Sequence, residues 1–493
     1  GGVCISQNTY DHIKNKLKLG CEYIGEHAVK NIKDPVRVYK VLMDPEDVGK
    51  RIGEIKKRSK LKLFLAATAI FAILTVGILG GLYWKYLYLP TPENIDPENK
   101  MTFDLPKGPS IAVLPLDNMT GDPEQEFFCD VITENIISSL SYIPNLFVIA
   151  RNSTFVYKGK PIMAQQVGRE LGAQYLLEGS IQKSNDKIRI TIQLIETNTG
   201  HHKFSEIYDR KLNDIFKLQD EITLAILKQI TPTIAGTERI RGYHKGFTNL
   251  QDFLKYLKAV GYFHHLNPEY NKMAQKELLE IIEHNPNLPQ VYAYLADTYT
   301  WEAVNGGCEP PIICFAKASE ATRKALSIDE NDVNALGSAA VLSLVKKDHE
   351  SAIDYIKKAL SVQPSASHGY VIFGSILNYM DRSNEAISLI KKGILLNPYP
   401  LHWYHSGLGM AYTDNGQYDE AIKAFNISVE IDPSWIAYLG LAIVYGHLGY
   451  EKEAEKTVSE LLLHRPELSI EKISKIMPYK NRDRISFIEE ALR

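Results

Sequence analysis

Three places in this 493-residue chain carry side chains that could do chemistry. Asp117, Asp122, Glu124 and Glu126 fall within one short stretch, and carboxylates that close together can ligate a cation if the backbone folds them onto one point. Their spacing matches no EF-hand loop, and a solvated turn accounts for them without a metal. His201 and His202 follow the turn sequence Asn198-Thr199-Gly200, with no third ligand nearby to make a zinc site. Cys308 and Cys314 flank Pro310-Pro311. They can form a disulfide if that segment meets an oxidising compartment, although spacing alone favours two separate thiols. No metal site and no cofactor is expected in this chain.

The elements that would position these residues belong to more than one folded unit. A length of 493 residues exceeds one ordinary core, and 45% hydrophobic with 23% charged residues is the balance of ordered protein. A net charge of −3 gives no concentrated basic face, so no nucleic-acid partner is expected.

Leu63 to Trp84 contains no charged residue over 22 positions, enough as a helix to cross a hydrocarbon core of about 30 Å. Lys50, Arg51, Lys56, Lys57, Arg58, Lys60 and Lys62 precede it, while Tyr83, Trp84, Tyr86, Tyr88 and the acidic TPENIDPEN follow. This asymmetry predicts a single span in the inner (plasma) membrane with the amino-terminal side cytoplasmic and everything after about residue 89 periplasmic. Gly77 and Gly81 have the GxxxG spacing that lets two such helices dimerise.

In the first 48 residues, Ile5 to Leu19 has helical periodicity, with Ser6, Asn8 and Thr9 as candidate caps, while Glu22–Ile24 and Val36–Val41 read as strands. GGVCIS followed by GEHAVKNIKDPVRVYKV resembles the carboxy-terminal end of a class III adenylate/guanylate cyclase domain. Asn31 stands where that family usually has glycine. The resemblance implies that Lys30 corresponds to the lysine that reaches the nucleotide phosphates. It also implies that the metal-binding aspartates, which hold two Mg or Mn ions in a complete cyclase, precede this stretch, as do the base-reading residues and the asparagine–arginine pair.

After a linker over residues 90–109, SIAVLPL reads as a buried strand, Glu126 to Ser141 as a helix, LFVIA as a strand and Ala164 to Gly172 as a helix. YLLEGSIQKS-ND-KIRITIQLIET reads as a hairpin, and Leu218 to Ile230 as a closing helix. Residues 110–235, through LEGSI, RITIQLIET and LQDEIT, are similar to the TolB-like domain found in many bacterial cyclases and regulators. That resemblance implies an extracytoplasmic interaction or sensing module without catalysis.

Alanines 274, 318, 352, 386, 421 and 454 are spaced 44, 34, 34, 35 and 33 residues apart, each twelve residues before Pro286, Glu330, Pro364, Pro398, Pro433 or Pro466. A period near 34 marks a solenoid of helix pairs, and the pattern resembles the tetratricopeptide repeat, most fully at 401–433 with departures at His405 and Ser428. The ten extra residues between the first two alanines coincide with VNGGCEPP, a candidate partner-contacting insertion.

The expected protein is thus multidomain. It has an α/β cyclase remnant (1–48), a basic juxtamembrane segment with one transmembrane helix (49–89), an α/β TolB-like domain (110–235), a second linker (236–250) and an all-α solenoid of about six units (251–493). Its expected role is the membrane-anchored regulatory part of an adenylate cyclase, with a protein or peptide in the repeat groove and a homodimer in the complete protein. A non-enzymatic scaffold on a membrane anchor is the alternative.

Overall fold

The computed structural model describes residues 3–17, 19–29, 34–42, 51–52, 108–122, 125–184, 187–211, 214–230, 246–247 and 250–493. The predicted span at 63–84, Lys30, Gly77, Gly81 and Glu124 lie outside them. Among the described residues no helix is long and apolar enough to cross a membrane. The chain divides into two units, Gly1–Thr102 and Phe103–Arg493.

In the first unit β1 (Cys4–Ser6), β2 (Gly20–His27), β3 (Val36–Leu42) and β4 (Arg51–Ile52) form a sheet in the order β1-β3-β2-β4. The expected helix begins later than its periodicity suggests, as α1 (Gln7–Ile13), because Cys4–Ser6 pairs antiparallel with Val38–Lys40 instead. Ser6 caps it, its hydroxyl accepting from the Thr9 N–H. β2 is longer than Glu22–Ile24. Its register shifts between Tyr23 and Gly25, and Gly25 takes the positive φ of 116° at that irregularity. Tyr39 stacks on Tyr10 at 4.3 Å and donates its hydroxyl to Gln7 at 2.6 Å. Among the described residues Cys21 and Val41 are the buried side chains of this sheet, while Val3, Leu17, Leu19, Tyr23, Ile24 and Val29 are exposed.

The second unit opens with an α/β module. Its elements are β5 (Ser110–Val113), β6 (Asp117–Asn118), α2 (Glu126–Ser141), β7 (Phe147–Val148), α3 (Arg151–Phe155), α4 (Ala164–Leu171), β8 (Tyr175–Ser184), β9 (Lys187–Glu196), β10 (His201–Lys211) and α5 (Ile215–Ile230). The sheet runs β10-β9-β8-β5-β7, with β6 beside β8. Ile111, Val113, Ile132, Ile136, Leu140, Leu177, Ile181, Ile190, Ile192, Ile222 and Ile226 pack between the sheet and α2/α5. The hairpin matches expectation, with Ser184 opposite Lys187. β10 does not: the segment expected to be a turn at His201-His202 begins a strand. As an outer strand it buries only Tyr208, so the sequence carries no alternation there to read.

Six helix pairs follow: α6 (Leu250–Phe263) with α7 (Pro268–His284), α8 (Pro289–Val304) with α9 (Pro311–Ile328), and α10 (Val333–Val345) with α11 (His349–Val362). Then come α12 (Ser367–Asn378) with α13 (Ser383–Leu396), α14 (His402–Asp414) with α15 (Tyr418–Ile431), and α16 (Trp435–Leu448) with α17 (Glu451–His464); α18 (Ile470–Ile476) and α19 (Arg482–Ala491) end the chain. The periodic alanines sit in the second helix of each pair. Ala274, Ala318, Ala352, Ala386 and Ala421 are fully buried, and the last, Ala454, is half-buried. A methyl side chain lets one helix backbone approach the next, which is why the spacing repeats. Phe425 fills the gap where the close approach would leave a void: a Cβ on Gly409 or Gly440 would lie 2.6 or 2.1 Å from its ring. At the insertion the Cys308 and Cys314 sulfurs are bonded, with Cα atoms 6.2 Å apart, so the reading of two separate thiols is corrected. Spacing could not reveal this, because the approach is set by where α9 starts.

Candidate functional site

The α/β module does not hang from the solenoid on a free linker. α2 has two working faces: Phe128, Ile132, Ile136 and Leu140 enter the module core, while Phe127 and Val131 pack into the cluster built by Phe253, Tyr256, Leu257 and Val260 of α6. Tyr142, just past α2, packs against the central solenoid core. Helical spacing puts Phe127, Val131, Asn135, Ser138 and Tyr142 on one stripe.

Farther along, the turns that follow α11 and α13 grip the module. The Ser365 hydroxyl donates to the Leu146 carbonyl at 2.7 Å and accepts from the Val148 N–H at 3.4 Å, which occupies the free edge of β7. The Ala150 N–H donates to the Leu396 carbonyl at 2.8 Å, and the Ser153 hydroxyl donates to Asn397 Oδ1 at 2.6 Å and accepts from the Tyr399 N–H at 2.8 Å.

The opposite rim is strapped by the chain's own end. His349 Nε2 meets the Pro478 carbonyl at 2.7 Å, the Lys480 N–H donates to the Tyr379 carbonyl at 2.9 Å, and the Tyr479 hydroxyl donates to Asp414 Oδ2 at 2.6 Å. Arg484 reaches the Asp414 carbonyl. Asn378 donates to the same Asp414 carboxylate at 2.6 Å. Burial pushes the Asp414 carboxyl up to about 6 despite these donors.

Between the two rims lies a polar interior. Glu134 Oε2 pairs with Arg151 Nε at 3.1 Å, and the Arg151 guanidinium covers the Phe155 ring at 3.9 Å. Burial raises the Glu134 carboxyl, and the Arg151 charge opposes that rise. His264, after α6, is held down to about 3 by burial and by the charges of Arg151 and His265. His368, at the start of α12, is held down to about 4 by burial and by His264. Its Nδ1 hydrogen-bonds with the Tyr404 hydroxyl at 3.0 Å, and its ring lies 5.5 Å from the Trp403 ring. Asn135 and Ser138 are buried with unpaired side-chain atoms, as is Nδ1 of His264. An orphaned buried polar group costs roughly 1–3 kcal/mol, so this interface is held below its best possible stability.

The residues singled out by sequence lie elsewhere. Glu126 is tied to Lys158 at 2.9 Å, Asp122 closes a turn with Asn118 and Thr120, and Asp117 sits on β6. His201 and His202 are exposed at the start of β10. Among the described residues no group of three or more His, Cys, Asp or Glu side chains could hold a metal ion. No motif in the sequence pointed to Glu134, Arg151, His264 and His368. They come from separate elements, and no spacing joins them; the one local trace was a run of polar residues, Asn135 and Ser138, inside an otherwise apolar helix.

Comparison with known proteins places the strongest repeat where the periodicity does. The tetratricopeptide-repeat profile matches residues 402–434. The chain is 34% identical over 296 residues to the protein named "Putative adenylate cyclase 3" of Rhizobium meliloti (strain 1021), a match covering 60% of this chain and 43% of that protein. The chain therefore spans less than half the length of this relative. Among solved structures, MamA matches with 26% identity over 32% of this chain and 91% of its own, at a TM-score of 0.26. YrrB, described as a TPR protein with an unusual peptide-binding site, matches with 21% identity over 38% of this chain and 93% of its own, at a TM-score of 0.26. The chain contains tetratricopeptide repeats, arranged as a helical solenoid beside a sheet-bearing module.

Proposed function

We propose that this chain is the membrane-anchored regulatory and protein-binding portion of an adenylate cyclase, whose complete form converts ATP to cAMP and diphosphate. The observation that carries the reading is the 34% identity over 296 residues to a protein bearing that name. The first unit is consistent with it: its sheet and the flanking segments leave Val3, Leu17, Tyr23 and Ile24 exposed, and the rest of a cyclase domain would cover them. In this reading residues 63–84 cross the inner membrane, residues after about 89 are periplasmic, Gly77 and Gly81 line a helix dimer, and Lys30 reaches the substrate phosphates. Cyclase active sites form between two such domains, so the outer modules would act by setting the geometry of the pair. The two Mg or Mn ions of that reaction have no ligand set among the described residues, and no metal-dependent step is derived for this chain.

The purified chain is expected to form no cAMP from ATP with Mg²⁺ or Mn²⁺, read by chromatographic assay; turnover above the buffer control, in a preparation free of other cyclases, defeats that expectation. The same assay on the protein extended upstream decides between cyclase and scaffold. An upstream reading frame lacking the two metal-binding aspartates would favour the non-enzymatic scaffold.

A further inference from the structure

The α/β module packs on α6 and on the turns after α11 and α13, and the Pro478–Arg484 strap crosses the opposite rim. The solenoid offers a different site. A groove of about 670 Å³ opens between α7 and α9, the second helices of the first two pairs, with α8 as its floor. Tyr292, Leu295 and Tyr299 form the floor, and Leu279, 43% exposed, stands on one wall. The other wall is basic: Lys317, Arg323 and Lys324 against the single acid Glu320.

Among the described residues none of these three cations is held in an ion pair, whereas Lys255 and Lys258 on α6 are engaged by Glu280 and Glu277 at 2.6 and 2.7 Å. Lys317 lies 5.4 Å over the Tyr299 ring, so a cation already rests beside the apolar floor. Just before α9 the Cys308–Cys314 bond ties the inserted loop to its first turn, which fixes the start of the basic wall.

We infer that this groove binds an acidic amphipathic segment of a partner protein. Apolar side chains of that segment would seat on Tyr292, Leu295 and Tyr299, and its carboxylates would meet Lys317, Arg323 and Lys324. The inference rests on the protein-binding reading of the solenoid and places its site at this groove. A groove with an aromatic floor and one unpaired basic wall excludes a basic segment by repulsion and gives a purely polar acidic segment no anchor.

The test uses the full chain and fluorescein-labelled peptides of about 14 residues, roughly four helical turns, with leucine and phenylalanine at i, i+4 spacing among glutamates. A second peptide has lysine for glutamate, and a third has serine for the apolar residues. Anisotropy titration should show binding of the first peptide only, weakened by added salt. The double variant Lys317→Glu/Lys324→Glu should lower its affinity at least about tenfold, as should Leu279→Ser, with unchanged far-UV circular dichroism. Failure of the first peptide to bind overturns the inference. Binding that ignores these substitutions also overturns it, while leaving the protein-binding reading intact. Binding of phosphatidylglycerol vesicles, lost in the double variant, in place of peptide binding would assign the basic wall to lipid and sink the peptide site.

Discussion

Replacing Phe425 by alanine should destabilise the solenoid by about 4 kcal/mol, within the range of roughly 3–5 kcal/mol for a fully buried phenylalanine. The ring has no exposed surface and sits between α14 and α16, against Gly409 and Gly440. Two glycine backbones cannot move in to fill the void it leaves, because their helices are held by neighbouring pairs. Urea unfolding followed by circular dichroism reads the change as a lower midpoint, with the terminal repeats melting first. A companion variant separates packing from propensity. Gly440→Ala would ordinarily favour a helix by up to about 1 kcal/mol, but here the new Cβ meets the Phe425 ring at 2.1 Å. The sign should therefore reverse, and Gly440→Ala combined with Phe425→Ala should be less damaging than the sum of the two. Additive losses would remove the ring-to-glycine contact as the cause.

Substituting the interior histidines should change how stability depends on pH, and substituting the interior carboxyls should change it the other way. His264, His368 and His405 are held near 3, 4 and 4, below the ordinary 6.5, so the folded chain binds fewer protons than the unfolded chain as pH falls. Their contribution is complete above pH 6.5 and is lost on acidification. Asp297 on α8, which accepts from the Ser338 hydroxyl, and Asp414 are raised by burial to about 7 and about 6, so the folded chain holds extra protons. Their contribution is present at low pH and is lost as pH rises through those values. The groups facing the histidines are Arg151 and His265 for His264, and His264 for His368; Glu134 also rises on burial and belongs with the aspartates.

The two sets oppose each other, and the wild-type chain should show a shallow pH dependence between about pH 7.5 and about pH 5. His368→Gln should stabilise the chain at the acid end relative to neutral pH compared with wild type, because burial and His264 hold the imidazole below its ordinary value. Asp414→Asn should do the reverse, making the chain more acid-labile while loosening the Tyr479 strap little, since an amide still accepts from Tyr479. Denaturation midpoints across that range check both. Parallel curves for all three proteins would mean that these side chains titrate in the fold as they do in water.

The repeats were legible in the sequence because a solenoid is built from local contacts: small residues every 34 or so positions report the approach of adjacent helices, and no distant partner is needed. The hairpin at Asn185-Asp186 was legible for the same reason, since its turn pair and its alternation lie within one short stretch. β10 was not, because an outer strand with one buried side chain leaves no period of two. The helix proposed over Ile5–Leu19 lost its first residues to β1, a pairing with Val38–Lys40 that only the tertiary fold supplies.

The site divides in the same way. By itself the sequence determined that a helical-repeat solenoid follows a mixed α/β module, because hydrophobic period and alanine spacing are properties of neighbouring residues. Only the tertiary structure decided that α2, Ser365 and the turn after α13 join the module to one rim of the solenoid, that Pro478–Arg484 straps the other, and that Arg151, His264 and His368 lie together. Those contacts join residues 65 or more positions apart, and their energies depend on burial, which no local pattern encodes. For the same reason a groove whose three cations have no ion pair among the described residues became visible only when α7, α8 and α9 were placed side by side.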